Sequence, residues 1–110
     1  MCDDEYVRQY LESCLAIESP PRVSELAELA GLSPTQLTKH FRRVYGMAAA
    51  EYLKRWQIAR AEEPMRQTTL STTVIAYRCG FGTRRTFFRA YRRIKGKTPA
   101  AGRAGGLMAA

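Results

Sequence analysis

The chain has 110 residues, 45% of them hydrophobic and 25% charged, with a formal net charge of +8, which is globular composition in the length of one domain. No run approaches the roughly 18 apolar residues that a membrane span requires, so a membrane-spanning protein or a membrane partner is not expected. The opening Met1-Cys2-Asp3-Asp4-Glu5 is acidic where an export leader would be basic and then apolar, which makes the cytoplasm the default compartment.

Charge is segregated along the chain. Residues 1–30 hold seven acids against two arginines, net −5, whereas residues 31–110 hold sixteen basic residues against three acids, net +13. Glu63 is the last acid, and from Pro64 onward ten Lys or Arg side chains are uncompensated. That distribution is the footprint of a polyanionic partner, nucleic acid before an acidic membrane, with a merely solvated basic face as the alternative.

Apolar positions recur at three and four residues and β-branched alternation is missing, so the fold class is all-α. Tyr6 to about Ile17 forms a first amphipathic helix, stopped by Ser19-Pro20-Pro21. A short helix follows, with Ser24 as a possible cap, Val23, Leu26, Ala27, Leu29 and Ala30 as its buried stripe, and Gly31 ending it in a left-handed turn. Ser33-Pro34 restarts the chain as a third helix, with Leu37, Phe41, Val44 and Tyr45 inward and Thr35, Thr38, Lys39 and Arg42 outward, closed by Gly46. A longer helix runs from about Ala48 through Tyr52, Leu53, Trp56 and Ile58 toward Ala61, where Pro64 interrupts it. The segment Ala100–Ala110 has three glycines and no periodicity, so a frayed tail is expected over 104–110.

The chain also repeats itself. Shifted by 49, Leu26-Ala27 falls on Ile75-Ala76, Ala30-Gly31 on Cys79-Gly80 and Leu32 on Phe81. Shifted by 50, Ser33 falls on Thr83, Leu37 on Phe87, Lys39 on Arg89, Phe41 on Tyr91, Arg42-Arg43 on Arg92-Arg93 and Gly46 on Gly96. One residue has been inserted near Gly82. Each copy is a short helix, a glycine turn and a second helix starting at a hydroxyl cap, which is the order of a helix-turn-helix. The boundaries are a first subdomain over 6–46 (motif about 24–45), a linker helix over 48–66 and a second subdomain over 70–103 (motif about 73–96), within one domain of 1–110.

One such motif is a weak signal, but two in tandem with basic outer faces are a strong one. The major groove admits one helix, whose outward side chains reach base edges while flanking arginines find phosphates. The candidate DNA-binding residues are therefore Thr35, Gln36, Thr38, Lys39 and Arg42 on the first recognition helix, and Arg84, Arg85, Thr86, Phe88, Arg89 and Arg92 on the second. Phe88 could touch a thymine methyl or tuck against the neighbouring subdomain. Arg42, Arg43, Arg92 and Arg93 suit phosphates, with solvated surface or pairing to the acidic first helix as the alternative.

These features resemble the DNA-binding domain of the AraC/XylS family of bacterial transcription regulators. The resemblance spans residues 6–103 and rests on Leu26-Ala27, Gly31-Leu32-Ser33, Phe41 and Gly46; on Tyr52-Leu53, Trp56 and Ala61; and on Ile75-Ala76, Gly80-Phe81, Phe87, Arg89, Gly96 and Thr98-Pro99. It implies a seven-helix unit with two three-helix subdomains, a linker helix, and recognition helices in successive major grooves. It further implies double-stranded promoter or operator DNA and RNA polymerase as partners, commonly in activation, and in many members an effector-binding domain that this chain does not hold. Three positions depart from the family pattern. Gln57 stands where arginine is usual, Pro64 where leucine is usual, and Gly102 where tyrosine is usual. Proline in a helix interior costs about 3 kcal/mol, so a shortened or kinked linker is expected, and the absent tyrosine should weaken C-terminal packing.

No enzyme is expected, because a single histidine, His40, builds no triad, and it reads as a packing residue at the edge of the core. Trp56 reads as an apolar anchor of the linker. Cys2, Cys14 and Cys79 lack C-x-x-C spacing, so neither a disulfide framework nor a metal or other cofactor is expected, and Cys14 and Cys79 read as small core residues. Two further functions remain as alternatives: a sequence-indifferent nucleic-acid binder and a DNA-repair alkyl acceptor using Cys79.

Overall fold

The computed structural model describes residues 4–103, and all their regular structure is helical. The order is α1 (Glu5–Ala16), α2 (Val23–Ala30), α3 (Pro34–Tyr45), α4 (Ala49–Gln67), α5 (Thr72–Arg78), α6 (Arg84–Lys95) and a short helical segment, α7, over 99–103. The expected frayed tail and Cys2 lie outside the described residues. No described helix is long and apolar enough to cross a membrane. The chain divides into two compact units, the boundary falling inside α4 between Lys54 and Arg55.

In the first unit α1 packs on α2 and α2 on α3. Val7, Leu11, Cys14, Leu26, Ala27, Leu37, Phe41, Ala49 and Leu53 are buried. Phe41, Tyr45 and Tyr52 form a ring cluster with centroids 4.6–5.1 Å apart. Tyr10 ties α1 to the start of α2: its hydroxyl donates to Glu25 Oε1 at 2.6 Å and accepts the Arg22 N–H at 2.7 Å. Burial first, and the Glu25 bond second, push the Tyr10 phenol well above its ordinary range. Arg22, not Ser24, is the N-cap, and Ser24 lies exposed within α2. Leu29 is 64% exposed because, at 100° per residue, it falls off the stripe that passes through Val23, Leu26, Ala27 and Ala30. Val44, in the last turn of α3, is exposed as well.

The second unit packs α5 on α6 around Ile58, Ala61, Met65, Ile75, Ala76, Phe81, Phe87, Ala90 and Tyr91. Pro64 does not end the linker helix, since α4 continues to Gln67. The reason is local. Ile58, Ala61 and Met65 anchor one face on both sides of the proline, and the lost N–H affects a single intrahelical acceptor. Beyond it, the Thr68 N–H and hydroxyl both donate to the Pro64 carbonyl, at 3.0 and 2.7 Å. Arg103 of α7 adds Nε to the Met65 carbonyl at 3.0 Å and Nη2 to the Thr68 carbonyl at 3.2 Å, serving acceptors a helix end leaves open.

The other two departures are also absorbed. Gln57 is buried, and its Nε2 donates to the Cys79 carbonyl at the end of α5 at 3.0 Å, where arginine would bring a charge out of water. At Gly102 the place of a β-carbon is taken by the Tyr91 hydroxyl, with which a side chain there would collide. C-terminal packing is thus supplied from α6 rather than from position 102. Burial, followed by the nearby Glu62 carboxylate, pushes the Tyr91 phenol above its ordinary range.

Candidate nucleic-acid interface

The two copies of the repeat share backbone hydrogen bonds as well as residues. After α2, the Gly31 N–H bonds the Glu28 carbonyl and the Leu32 N–H bonds the Ala27 carbonyl; after α5, Gly80 bonds Tyr77 and Phe81 bonds Ala76, each 49 positions on. Both turns need a positive φ, +71° at Gly31 and +82° at Gly80. The helix that follows starts at a hydroxyl cap in each copy. Ser33 Oγ accepts the Gln36 N–H while Gln36 Oε1 accepts the Ser33 N–H, a complete capping box. Thr83 Oγ1 accepts the Thr86 N–H at 3.1 Å and donates to the Thr86 hydroxyl at 2.9 Å. Gly46 and Gly96 end the two helices.

On α3 the outward residues are Thr35, Gln36, Lys39 and Arg42, with Thr38 half-buried. Thr35, Lys39 and Arg42 stand at i, i+4 and i+7, one stripe along the helix. Among the described residues, the Lys39 and Arg42 side chains engage no partner. Arg43 instead gives Nη2 to His40 Nδ1 at 3.2 Å, and His40 Nε2 lies 3.1 Å from Asp4 Oδ1. That geometry suits the tautomer with its proton on Nε2. Asp4 also accepts the Tyr45 hydroxyl at 2.6 Å, so the start of α1 is fastened to α3 from below the outward stripe. His40 is half-buried, edge-on to Phe41, in agreement with a packing role.

On α6 the stripe is Arg85, Arg89 and Arg92, all exposed and none engaged by another described side chain. Arg84 and Phe88 lie to one side. Phe88 is half-buried against the core of its own unit, edge-on to Phe87. The Arg84 guanidinium sits 4.2 Å above the Phe88 ring, and its Nε reaches Thr72 Oγ1 of α5 at 3.5 Å. Gln36 and Thr86 help to cap their helices, so the side chains the sequence offered as groove contacts also fix where each helix begins. The hold on Arg84 escaped the sequence reading: a cation and a ring at i, i+4 were visible, but nothing in the sequence placed Thr72 beside them.

The field along α6 is unusual. α1, α2 and α4 each carry an acid in the first turn, where it offsets the partial positive charge of a helix N-terminus. α6 carries Arg84 and Arg85 there and no acid, an arrangement unfavourable by roughly 0.3–1 kcal/mol per charge in the isolated molecule. An anion docked at that end reverses the sign. Cys79 packs against the second core, a setting that suits a structural thiol better than an alkyl acceptor.

The sequence profile described as a helix-turn-helix domain matches residues 26–105. The chain belongs to this family, in its AraC/XylS-like form. Across 78 residues it is 36% identical to the HTH-type transcriptional regulator Rv1931c of Mycobacterium tuberculosis, covering 71% of this chain and 30% of that protein. It is 33% identical over 84 residues to the HTH-type transcriptional regulator GlxA of Rhizobium meliloti, covering 76% of this chain and 26% of the relative. The chain thus spans less than a third of the length of these curated relatives. Among solved structures, the DNA-binding domain of the global transcriptional factor AdpA in complex with a target DNA matches with a TM-score of 0.81 and 28% identity, over 93% of this chain and 89% of that one. A transcriptional regulator of the AraC-type DNA-binding class from Chromobacterium violaceum matches with a TM-score of 0.74 and 27% identity, over 89% of each chain. The named relatives are transcriptional regulators, and the AdpA domain is the one of these structures described in complex with DNA.

Proposed function

We propose that this domain reads a specific promoter or operator by laying α3 and α6 in successive major grooves, and that the regulator it serves activates transcription through RNA polymerase. The observation that carries the reading is the matched outward stripe, Thr35/Lys39/Arg42 on α3 and Arg85/Arg89/Arg92 on α6, held on hydroxyl-capped helices 50 positions apart. A groove-facing helix needs such a stripe, and the pairing of two supports a site with two half-sites about one helical turn apart. The proposed partners are duplex DNA, RNA polymerase and an effector-binding domain of the kind many family members carry; the bacterial nucleoid is the corresponding location.

Selection of bound duplexes from a random library, followed by titration of the 110-residue chain on the selected and a random duplex over a range of salt, tests the proposal. The selected duplex should bind at least a hundredfold more tightly, with log affinity falling linearly against log salt. Equal affinity for both duplexes would replace this reading with a sequence-indifferent binder. A selected site spanning a single groove would remove the two-groove part. Release of a stalled reporter promoter by the purified regulator and RNA polymerase, set against repression of it, decides activation.

A further inference from the structure

The five cationic or aromatic positions that α6 offers to DNA are not equivalent. Arg85, Arg89 and Arg92 share one stripe and engage nothing else among the described residues. Arg84 is already held, stacked on the Phe88 ring with Nε turned to Thr72. Thr72 belongs to α5, the first helix of the second helix-turn-helix, and in that motif the first helix crosses the DNA backbone while the second enters the groove. Docked in that way, a guanidinium bridging α5 and α6 would stand at the groove's edge, where the phosphates run. Its stacked plane leaves both Nη groups as donors, in the fork geometry that suits a phosphate.

Resting on the proposed DNA-reading role, we infer that Arg84 is a phosphate clamp positioned by Phe88 and Thr72, and that Arg85 and Arg89 are the base readers of α6, addressing a half-site with two guanines. The chemistry is the bidentate pairing of a guanidinium with guanine O6 and N7, which an unengaged arginine on the first two turns of a groove helix can form. The spacing follows from the helix. Four residues advance about 6 Å along the axis at 1.5 Å each, against about 3.4 Å per base step, so the two guanines are about two steps apart. Arg92, one turn further on, lies in the basic last turn and meets the backbone again. Phe88 is then a positioning residue, acting through Arg84.

Library selection with the 110-residue chain and its variants separates these roles. Wild type should enrich a half-site with two guanines, and Arg85→Ala and Arg89→Ala should each abolish the preference at one of them, with a loss of about 5- to 150-fold on the selected duplex and little on a random one. Arg84→Ala should weaken both duplexes by the same factor, leave the selected sequence unchanged and reduce the salt slope by about one. Phe88→Leu, which keeps an apolar side chain on the core, should weaken both duplexes by the same factor and leave the selected sequence unchanged, with a small loss of thermal stability, and Phe88→Tyr should restore wild-type binding. A changed base preference in Arg84→Ala, or Phe88→Leu binding like wild type, overturns the clamp. Equal losses on selected and random DNA for Arg85→Ala and Arg89→Ala overturn the readers. In those outcomes the wild type still selects a site and the DNA-reading role stands; a wild type that enriches no sequence overturns both.

Discussion

α3 and α6 begin and end alike. Each opens at a hydroxyl that accepts the N–H three residues on, and each closes at a glycine with φ near +75° whose N–H returns to an arginine carbonyl four residues back. Between these ends their surfaces diverge, α3 carrying Lys39, Arg42 and Arg43 and α6 carrying Arg84, Arg85, Arg89, Arg92, Arg93 and Lys95. The inward positions diverge less: Leu37 and Phe87, in register, are both wholly buried. The parts that fix where a helix lies and the parts it shows to a partner are thus carried by different residues. One scaffold can then present two outward faces of different composition.

The largest effects should come from breaking what the units share. Leu37→Ala should cost its unit about 2–5 kcal/mol and Phe87→Ala about 3–5 kcal/mol in denaturant titrations, and a loss below about 1 kcal/mol at either would show that its unit is not held by that anchor. The next test sharpens a difference. Tyr10 makes two short hydrogen bonds, to Glu25 and Arg22, so Tyr10→Phe should cost about 1–3 kcal/mol and exceed Tyr91→Phe. Both phenols are raised in the folded state, so they remain neutral there while the unfolded chain ionises. Stability should hold below about pH 10 and fall above it, by at most about 1.4 kcal/mol per pH unit for each phenol, until the folded phenols ionise too. Denaturant midpoints measured from pH 8 to 11.5 should fall less steeply in Tyr10→Phe; an unchanged slope would mean that this phenol is not protected by the fold. Smallest are the caps. Ser33→Ala and Thr83→Ala should each cost about 1 kcal/mol, with the greater loss at Ser33, where Gln36 returns a second bond.

The fold was legible because its signals are local. Gly31, Gly46, Ser33-Pro34 and the three-and-four spacing of Leu37 and Phe41 set helix ends and faces without reference to distant residues, and the repeat doubled each signal. What escaped lies in contacts between residues far apart in sequence. Pro64 read alone is a helix breaker, and it takes Met65 in the core and Arg103 on its carbonyl, among other contacts, to explain why α4 runs through it. Ser24 looked like a cap because serine often is one, whereas Tyr10, twelve residues before Arg22, holds the start of α2. At the interface, the outward stripe was readable from spacing. The distinction between Arg84 and Arg85 was not, since it depends on Thr72 of another helix.

Tyr91 and Gly102 also bear on the order in which this surface can change. Because the hydroxyl of one occupies the place of a β-carbon on the other, even alanine at 102 would press on the Tyr91 ring as well as its oxygen. Replacing Tyr91 first with a smaller apolar residue opens a cavity and weakens the core, yet leaves a gap that a later side chain at 102 can fill. The two positions are therefore linked. A lineage holding this pair reaches a bulky residue at 102 by displacing the Tyr91 ring end, by first passing through a less stable form, or by changing both positions together.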